Sequence, residues 1–180
     1  MDELRLVPPS LAYAEAIISY RAESLAEAPH ISGGCMLADF PEPADWIAYC
    51  ECLGDPATLP PGRVETEEWM LVRGDEPRVL GLINIRRSID HDYLREYAGH
   101  IGYSVRPTER RKGYAAAQLR LGLDRCRALG LDRVLITCDT TNEGSRRTIL
   151  ACGGLFDRTT FDETDNTTME RYWIPLIAVS

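Results

Sequence analysis

The sequence lacks the features that mark secreted, membrane-spanning and metal-binding proteins. Its start, MDELRLVPPS, has no basic segment followed by an apolar run, as a signal peptide would. No stretch approaches the roughly 20 apolar residues that span a bilayer. The six cysteines show neither CxxC spacing nor the density of a disulfide scaffold, and none of the three histidines stands at metal-ligand spacing with another ligand. These absences predict a cytoplasmic protein with reduced cysteines, no metal and no membrane contact.

Composition and charge are those of an ordinary globular protein. The 180 residues are 44% hydrophobic and 27% charged, which predicts a single domain over residues 1–180 with a sizeable core. The formal net charge of -8 disfavours a polyanion such as nucleic acid as the main partner and suits a cationic ligand such as an amine.

Hydrophobic periodicity predicts the order strand, two helices, three strands, helix, strand, helix and two strands. The polar segment Asp90–Gly99 is interpreted as a hairpin connection, and Pro29–Pro41 as an irregular loop. Strands are predicted at 4–6, 69–73, 79–86, 100–106, 134–138, 155–161 and 167–174, and helices at 11–25, 46–53, 113–129 and 142–152. The pattern predicts a mixed α/β domain.

The segment that carries chemistry is a strand followed by a basic turn and a helix. Pro107 ends the strand, and Arg110, Arg111, Lys112 and Gly113 then precede the helix. A helix N-terminus presents unpaired N–H groups and the positive end of its dipole, so this turn is suited to bind a pyrophosphate. The turn has neither the GK[ST] ending of a Walker loop nor three spaced glycines.

Here the sequence resembles the GCN5-related N-acetyltransferase (GNAT) family. Residues Arg110 to Ala115 match that family's [Q/R]-x-x-G-x-[G/A] loop, and Asn142 with Ser145 matches its second signature. The segments Gly99–Pro107, Ile136–Asp139 and Arg171–Ile174 look like a little-characterised bacterial branch. The resemblance covers nearly the whole chain and implies a mixed, mostly antiparallel central sheet flanked by helices.

The resemblance also implies an activity: direct transfer of an acetyl group from acetyl-CoA to a bound amine. Acetyl-CoA is expected between the strand ending at Val105 and the strand 134–138, which splay apart. The pantetheine amides would bond to backbone near Tyr103 and Val105. The residues expected to bind the cofactor are Tyr103, Val105, Arg110, Arg111, Lys112, Gly113, Tyr114, Ala115, Asn142 and Ser145.

Acetyl transfer to an amine calls for a proton acceptor, and the thiolate that leaves can take a proton from an acid. His100 is the favoured base, with simple hydrogen bonding inside the sheet as the alternative; Glu96 is a second candidate. The family's usual tyrosine acid falls on Ile149 here, so the thiolate would take its proton from Tyr172, Tyr103 or solvent.

The acceptor and two rival functions stay open at this point. Asn84 and Arg86 are polar residues on an apolar strand and are candidate substrate contacts, with Arg86 able to bind a carboxylate at two points. By resemblance the loop from His30 to Phe40 borders the acceptor site. The rivals are a non-catalytic acyl-CoA-binding module on the same fold and a nucleic-acid-binding domain that uses the basic turn. A homodimer is compatible with the family.

Overall fold

The computed structural model describes residues 3–176 and arranges them as two antiparallel sheets flanked by helices. The strands are β1 (Leu4–Val7), β2 (Thr66–Arg73), β3 (Gly81–Arg86), β4 (Ile101–Val105), β5 (Arg133–Asp139), β6 (Leu155–Asp162) and β7 (Thr167–Pro175). The helices are α1 (Ala14–Leu25), α2 (Pro43–Gly54), α3 (Tyr114–Ala128) and α4 (Glu143–Ala151). The predicted element order and the α/β fold class are confirmed.

Several bounds differ from the prediction: α2 begins at Pro43 instead of 46, and β3 begins at Gly81 instead of 79. β2 begins at Thr66, three residues earlier than expected, because the polar residues before Trp69 continue the pairing with β3. The polar segment 90–99 does join two antiparallel strands, as a hairpin connection should, but it contains a helical turn at Leu94–Ala98.

The expected single central sheet is divided in two. One sheet has the order β1-β2-β3-β4 and the other β5-β7-β6, and every described strand pair is antiparallel. β4 and β5 form no ladder with each other. They meet at one point, where the N–H of His100 donates to the Leu135 carbonyl at 2.8 Å and the N–H of Leu135 donates to His100 Nδ1 at 2.9 Å. Beyond this point β4 has no partner strand on that side within residues 3–176, and a cleft opens there, lined by β4, the N-terminal turn of α3 and the start of α4.

Alternation along β3 decides which side chains face the helices on each side. Ile83 and Ile85 pack in the core cluster beneath α3, whose Gly122 leaves room for the Ile83 side chain. Leu82 belongs to the opposite cluster, together with Tyr20 of α1 and Trp46 of α2. Because successive side chains of a strand point to opposite faces, Asn84 and Arg86 lie on the α1 and α2 side. An apolar strand thereby delivers two polar side chains to one face.

The six cysteines are free thiols, and Cys50 is buried on α2 while Cys52 is only partly so. Within residues 3–176 no helix is long and apolar enough to cross a bilayer. In the same residues no group of three or more His, Cys, Asp or Glu side chains is placed to hold a metal ion.

Candidate functional site

The cleft between β4 and β5 presents an unpaired backbone edge. Hydrogen bonds from Arg86 N to His100 O and from Arg106 N to Leu80 O, both 2.8 Å, fix the β3–β4 ladder. In an antiparallel pair the backbone groups alternate between facing the partner strand and facing away. The N–H and C=O groups of Tyr103 therefore face the opening toward β5. An extended ligand with amide groups can bond to such an edge.

The basic turn lies at one end of this cleft. Gly113 adopts a left-handed conformation with φ of 85° and caps α3 without any side-chain hydrogen bond to the first turn. The first N–H groups of α3 have no partner within the helix, and the small side chains of Ala115 and Ala116 leave them accessible. The turn and the helix dipole together make an anion-binding end.

The cations of the basic run are not equivalent. Arg110 pairs with Glu27 at 2.6 Å and Lys112 pairs with Glu109 at 2.9 Å, whereas Arg111 has no ion pair among the described residues. Arg106 points into the core instead, where it is 1% exposed and bonds to Glu23 at 2.9 Å. Arg111 is thus the cation most available to a ligand, and Arg106 holds β4 to α1.

Helix α4 forms the opposite wall. The side-chain oxygen of Asn142 accepts a hydrogen bond from Ser145 N at 3.0 Å, which caps the helix, and both residues line the cleft. The Tyr103 hydroxyl lies 2.9 Å from Ser145 Oγ. Burial raises the pKa of Tyr103 to about 12, so its phenol stays protonated at neutral pH. Ile149, at the position of the family's tyrosine, is buried in the core.

The cleft has a volume of about 510 Å³ and gathers most of the residues expected to bind a cofactor. Lys112 is the exception and lies outside it. Ser32, Ser104 and Thr148 also line the cleft and were not predicted. Thr148 follows Ser145 by three residues on the same helix, so helical spacing was a usable signal for it. Ser32 comes from a loop and had no such signal.

A second cavity, of about 310 Å³, lies on the α1 and α2 side of the sheet. Asn84 and Arg86 both line it, as expected of substrate contacts on one face of β3. The remaining lining residues come from the loop after α1, the end of α2, the segment before β2 and the turn before β4: Ile31, Gly33, Gly34, Cys35, Met36, Tyr49, Leu53, Gly62, Arg63, Val64, Thr66, His91, Tyr93, Leu94 and Ala98.

The loop 31–36 divides the two spaces. Gly33, with φ of 70°, lies so close to β4 that an added Cβ would overlap Tyr103 Cα and stand 2.5 Å from the Gly102 carbonyl oxygen. On the sheet below, Asn84 Oδ1 accepts a hydrogen bond from Gly102 N at 3.1 Å. Beside it, Ser104 Oγ donates to Ser32 O at 2.5 Å. The cleft and the cavity therefore approach each other at Gly102 and Tyr103.

Glu68 is a residue that sequence reasoning missed. It pairs across the sheet with Asn84, is 5% exposed, and neither carboxyl oxygen has a hydrogen-bond partner. Burial, with the neighbouring Cys35 adding to it, raises the pKa of Glu68 well above its usual value. In the sequence it lies in the acidic run ETEEW, and such a run is typical of a solvent-exposed start of a strand.

The proposed catalytic residues lie away from both cavities. His100 is 6% exposed, its Nδ1 already accepts from Leu135 N, and burial lowers its pKa to about 4. This geometry favours the alternative role for His100, hydrogen bonding between the sheets. A ring that is occupied on Nδ1 and resists protonation is poorly suited to take a proton from an amine.

The other two candidates are held in ion-pair and hydrogen-bond networks. Glu96 bonds to Arg158 at 2.7 Å and to Arg171 at 3.0 Å, and Arg158 is the main reason that its pKa is lowered. The Tyr172 hydroxyl donates to Glu170 at 2.9 Å. Of the residues considered for proton transfer, Tyr103 is the one that lines the cleft.

Known proteins share this architecture. A family model described as "Acetyltransferase (GNAT) domain" matches residues 3–154. The ribosomal-protein-S5-alanine acetyltransferase from Vibrio fischeri aligns with a TM-score of 0.72 at 17% identity, covering 98% of this chain and 94% of that one. RimJ from Mycobacterium smegmatis, solved with CoA-disulfide, has a TM-score of 0.70 at 23% identity, covering 96% and 81%.

A third similar structure is the microcin C7 self-immunity acetyltransferase MccE, solved with acetyl-CoA and AMP. It has a TM-score of 0.70 at 17% identity and covers 97% of this chain and 93% of that one. No curated protein matches the sequence. At these identities the structural likeness shows the fold, while the family model spans most of the chain. The protein belongs to the GNAT family of acetyltransferases.

Proposed function

We propose that the protein transfers an acetyl group from acetyl-CoA directly to the amine of a small molecule or peptide. The observation that carries this proposal is the cleft beside β4, which joins an unpaired strand edge to a helix N-terminus without a side-chain cap. The donor groups fit CoA: backbone amides suit the pantetheine arm, and the turn with Arg111 suits the pyrophosphate. Related structures solved with acetyl-CoA or a CoA disulfide support the assignment.

The second cavity is the proposed acceptor site. It meets the cleft beside Gly102 and Tyr103, so an amine held against Asn84 would approach a thioester lying along β4. The backbone N–H of Tyr103 faces the cleft and is the proposed donor to the oxyanion. The lining of the cleft contains no cysteine, which is consistent with direct transfer without an acyl-enzyme.

The proposed proton transfers involve water, and Tyr103 assists as a hydrogen-bond donor. The amine nitrogen attacks the thioester carbonyl, its proton passes to water, and the C–S bond breaks when the intermediate collapses. The Tyr103 hydroxyl lies in the cleft and its raised pKa keeps it protonated, so it is proposed to donate a hydrogen bond to the departing thiolate, which takes its proton from solvent. A CoA thiol has an acidity near that of cysteine, about pKa 8.5, so this donation is a modest aid.

The decisive experiment measures CoA binding and turnover separately. Acetyl-CoA should raise the melting temperature while ATP and NAD at equal concentration do not, because a ligand stabilises the state it binds. Arg111→Glu should weaken acetyl-CoA binding by about tenfold or more, as expected when an attractive charge becomes repulsive. Arg120→Glu, an exposed arginine further along α3, is the matched control.

Release of free thiol from acetyl-CoA in the presence of an amine panel then tests catalysis. Thiol release that depends on an amine supports the proposal. Acetyl-CoA binding without thiol release from any amine would favour the non-catalytic acyl-CoA-binding alternative. Salt-sensitive retention on DNA or RNA without a response to acetyl-CoA would favour nucleic-acid binding instead.

A further inference from the structure

The charges that line the second cavity are of one sign. Arg63 and Arg86 line it, and no aspartate or glutamate does. The chain as a whole carries a formal net charge of -8. The cavity is therefore locally positive although the protein as a whole is acidic. Its electrostatic field attracts an anionic group.

Arg86 is the partly buried cation of this cavity. Its Nη1 donates to the Gly99 carbonyl at 3.1 Å, and no described carboxylate lies within ion-pair distance. Burial lowers its pKa, as expected of a cation without a counter-ion. The two most buried arginines behave differently, since Arg106 has Glu23 at 2.9 Å and Arg171 has Asp157 at 3.1 Å. Both fully buried arginines therefore have an acid partner, and Arg86 has none among the described residues.

Glu68, the nearest acid in the sheet, forms no ion pair with Arg86. Glu68 shares a sheet face with Arg86, but neither of its oxygens has a hydrogen-bond partner. Burial raises the pKa of Glu68, and Arg86 opposes that rise only in part. No hydrogen bond or ion pair joins the two side chains, so the Arg86 guanidinium has N–H groups left for a ligand.

The other residues that line the cavity indicate the chemistry of the rest of the ligand. Ile31, Leu53 and Val64 supply apolar surface, and Tyr49 and Tyr93 supply aromatic rings. Arg63 is exposed and holds its Nη2 3.5 Å from Met36 Sδ. At about 310 Å³ the cavity fits a molecule of amino-acid or dipeptide size.

We propose that the acetyl acceptor is an amine that also carries a carboxylate, with an apolar body: an amino acid or a short peptide. Arg86 holds the carboxylate, Arg63 draws it in from solvent, and the amine points toward Gly102. The two arginines also disfavour a second positive charge beside them, so the acceptor amine loses its proton more readily. This inference rests on the proposed acetyltransferase function.

The test measures binding without turnover. The protein is saturated with CoA, which has no acetyl group to transfer, and titrated by calorimetry with L-leucine, L-methionine, L-phenylalanine and Gly-Leu. Each ligand is compared with its C-terminal amide, and spermidine is included as a polyamine. The carboxylates should bind at least about tenfold more tightly than their amides, because a buried charge pair is lost in the amide.

Variants assign that preference to the two arginines. Arg86→Gln should remove it, and Arg63→Gln, an exposed change that leaves the core intact, should reduce it. Arg86→Lys keeps the charge but loses the two-point geometry, so part of the preference should remain. Arg120→Gln is the control and should change nothing.

Amides or spermidine that bind as tightly as the carboxylates, or an absence of binding by all four carboxylates, would overturn the inference. A carboxylate preference that persists in Arg86→Gln and Arg63→Gln would overturn it as well. Failure of the proposed function is seen in a different assay: acetyl-CoA releases no thiol with any amine. That result leaves the calorimetric preference for carboxylates unchanged.

Discussion

The cleft beside β4 and the cavity on the other side of loop 31–36 are built in different ways. One wall of the cleft is formed by backbone: an unpaired strand edge, a left-handed Gly113 and the first turn of α3, all within a short stretch of chain. The cavity is formed by side chains that arrive from distant segments, such as Met36, Arg63 and Tyr93. A backbone site follows from local sequence, whereas a side-chain site follows from packing.

This difference bears on what each space can recognise. Backbone amides and a helix N-terminus bind the same groups whatever the neighbouring side chains are, which suits a ligand common to a whole family. The cavity is lined by Arg86, Asn84 and aromatic rings that single substitutions would change. Acceptor specificity is therefore expected to reside in the cavity.

The largest expected effect comes from the loop that divides the two spaces. Gly33→Ala forces a Cβ against the backbone of Gly102 and Tyr103 and should cost about 2–4 kcal/mol of stability. Gly62→Ala has a similar φ of 75° with nothing within 4 Å, so it should cost only about 1 kcal/mol of backbone strain. Urea unfolding of the two variants compares them. Equal costs would mean that the loop does not rest on β4.

The next effect concerns His100, which joins the two sheets through its bond to Leu135. The folded pKa of His100 is lowered to about 4, so the unfolded chain takes up a proton first as the pH falls below 6.5. The stability contributed by the neutral ring is present above pH 6.5 and is lost toward pH 4, by about 3 kcal/mol.

His100→Gln should remove that pH dependence, because the glutamine oxygen can accept from Leu135 N but cannot titrate. The stabilities of the wild type and the variant should therefore converge as the pH falls from 7 to 4. His30→Gln, at an exposed position, is the control for loss of an imidazole. A constant difference between wild type and His100→Gln would contradict the buried, neutral state of His100.

The smallest effect concerns Glu68, the buried acid that pairs with Asn84 across the sheet. The folded pKa of Glu68 is raised, so the folded protein holds its proton longer than the unfolded chain does. Stability is therefore lost as the pH rises from the unfolded pKa through the folded one, with a slope of at most about 1.4 kcal/mol per pH unit. Glu68→Gln should remove this loss, so the variant gains on the wild type as the pH rises above the unfolded value of 4.5.

Thermal unfolding over this rise in pH measures the gain. The exposed Glu51→Gln on α2 is the matched control and should run parallel to the wild type. Parallel curves for Glu68→Gln would mean that Glu68 is ionised in the folded protein, and it would then neutralise Arg86.

Local pattern was sufficient for the element order and for most residues that line the cleft. Alternation in VLGLINIR placed Asn84 and Arg86 on one face, and the turn Arg110–Ala115 with its following helix marked the anion site. Pattern failed for His100 and Glu68. Each is a polar residue beside a strand, and no sequence feature states whether such a side chain faces solvent, a cavity or the opposite sheet.

The sequence by itself determined the fold class, the family and the basic turn, because hydrophobic period, helix capping and strand alternation are local properties of the chain. Tertiary structure alone decided that His100 joins the two sheets, and that Arg63 and Arg86 share a cavity without an acid. These features depend on contacts between residues far apart in the sequence. Glu68 and His100 become buried only once those contacts have formed, and burial is what shifts their pKa values.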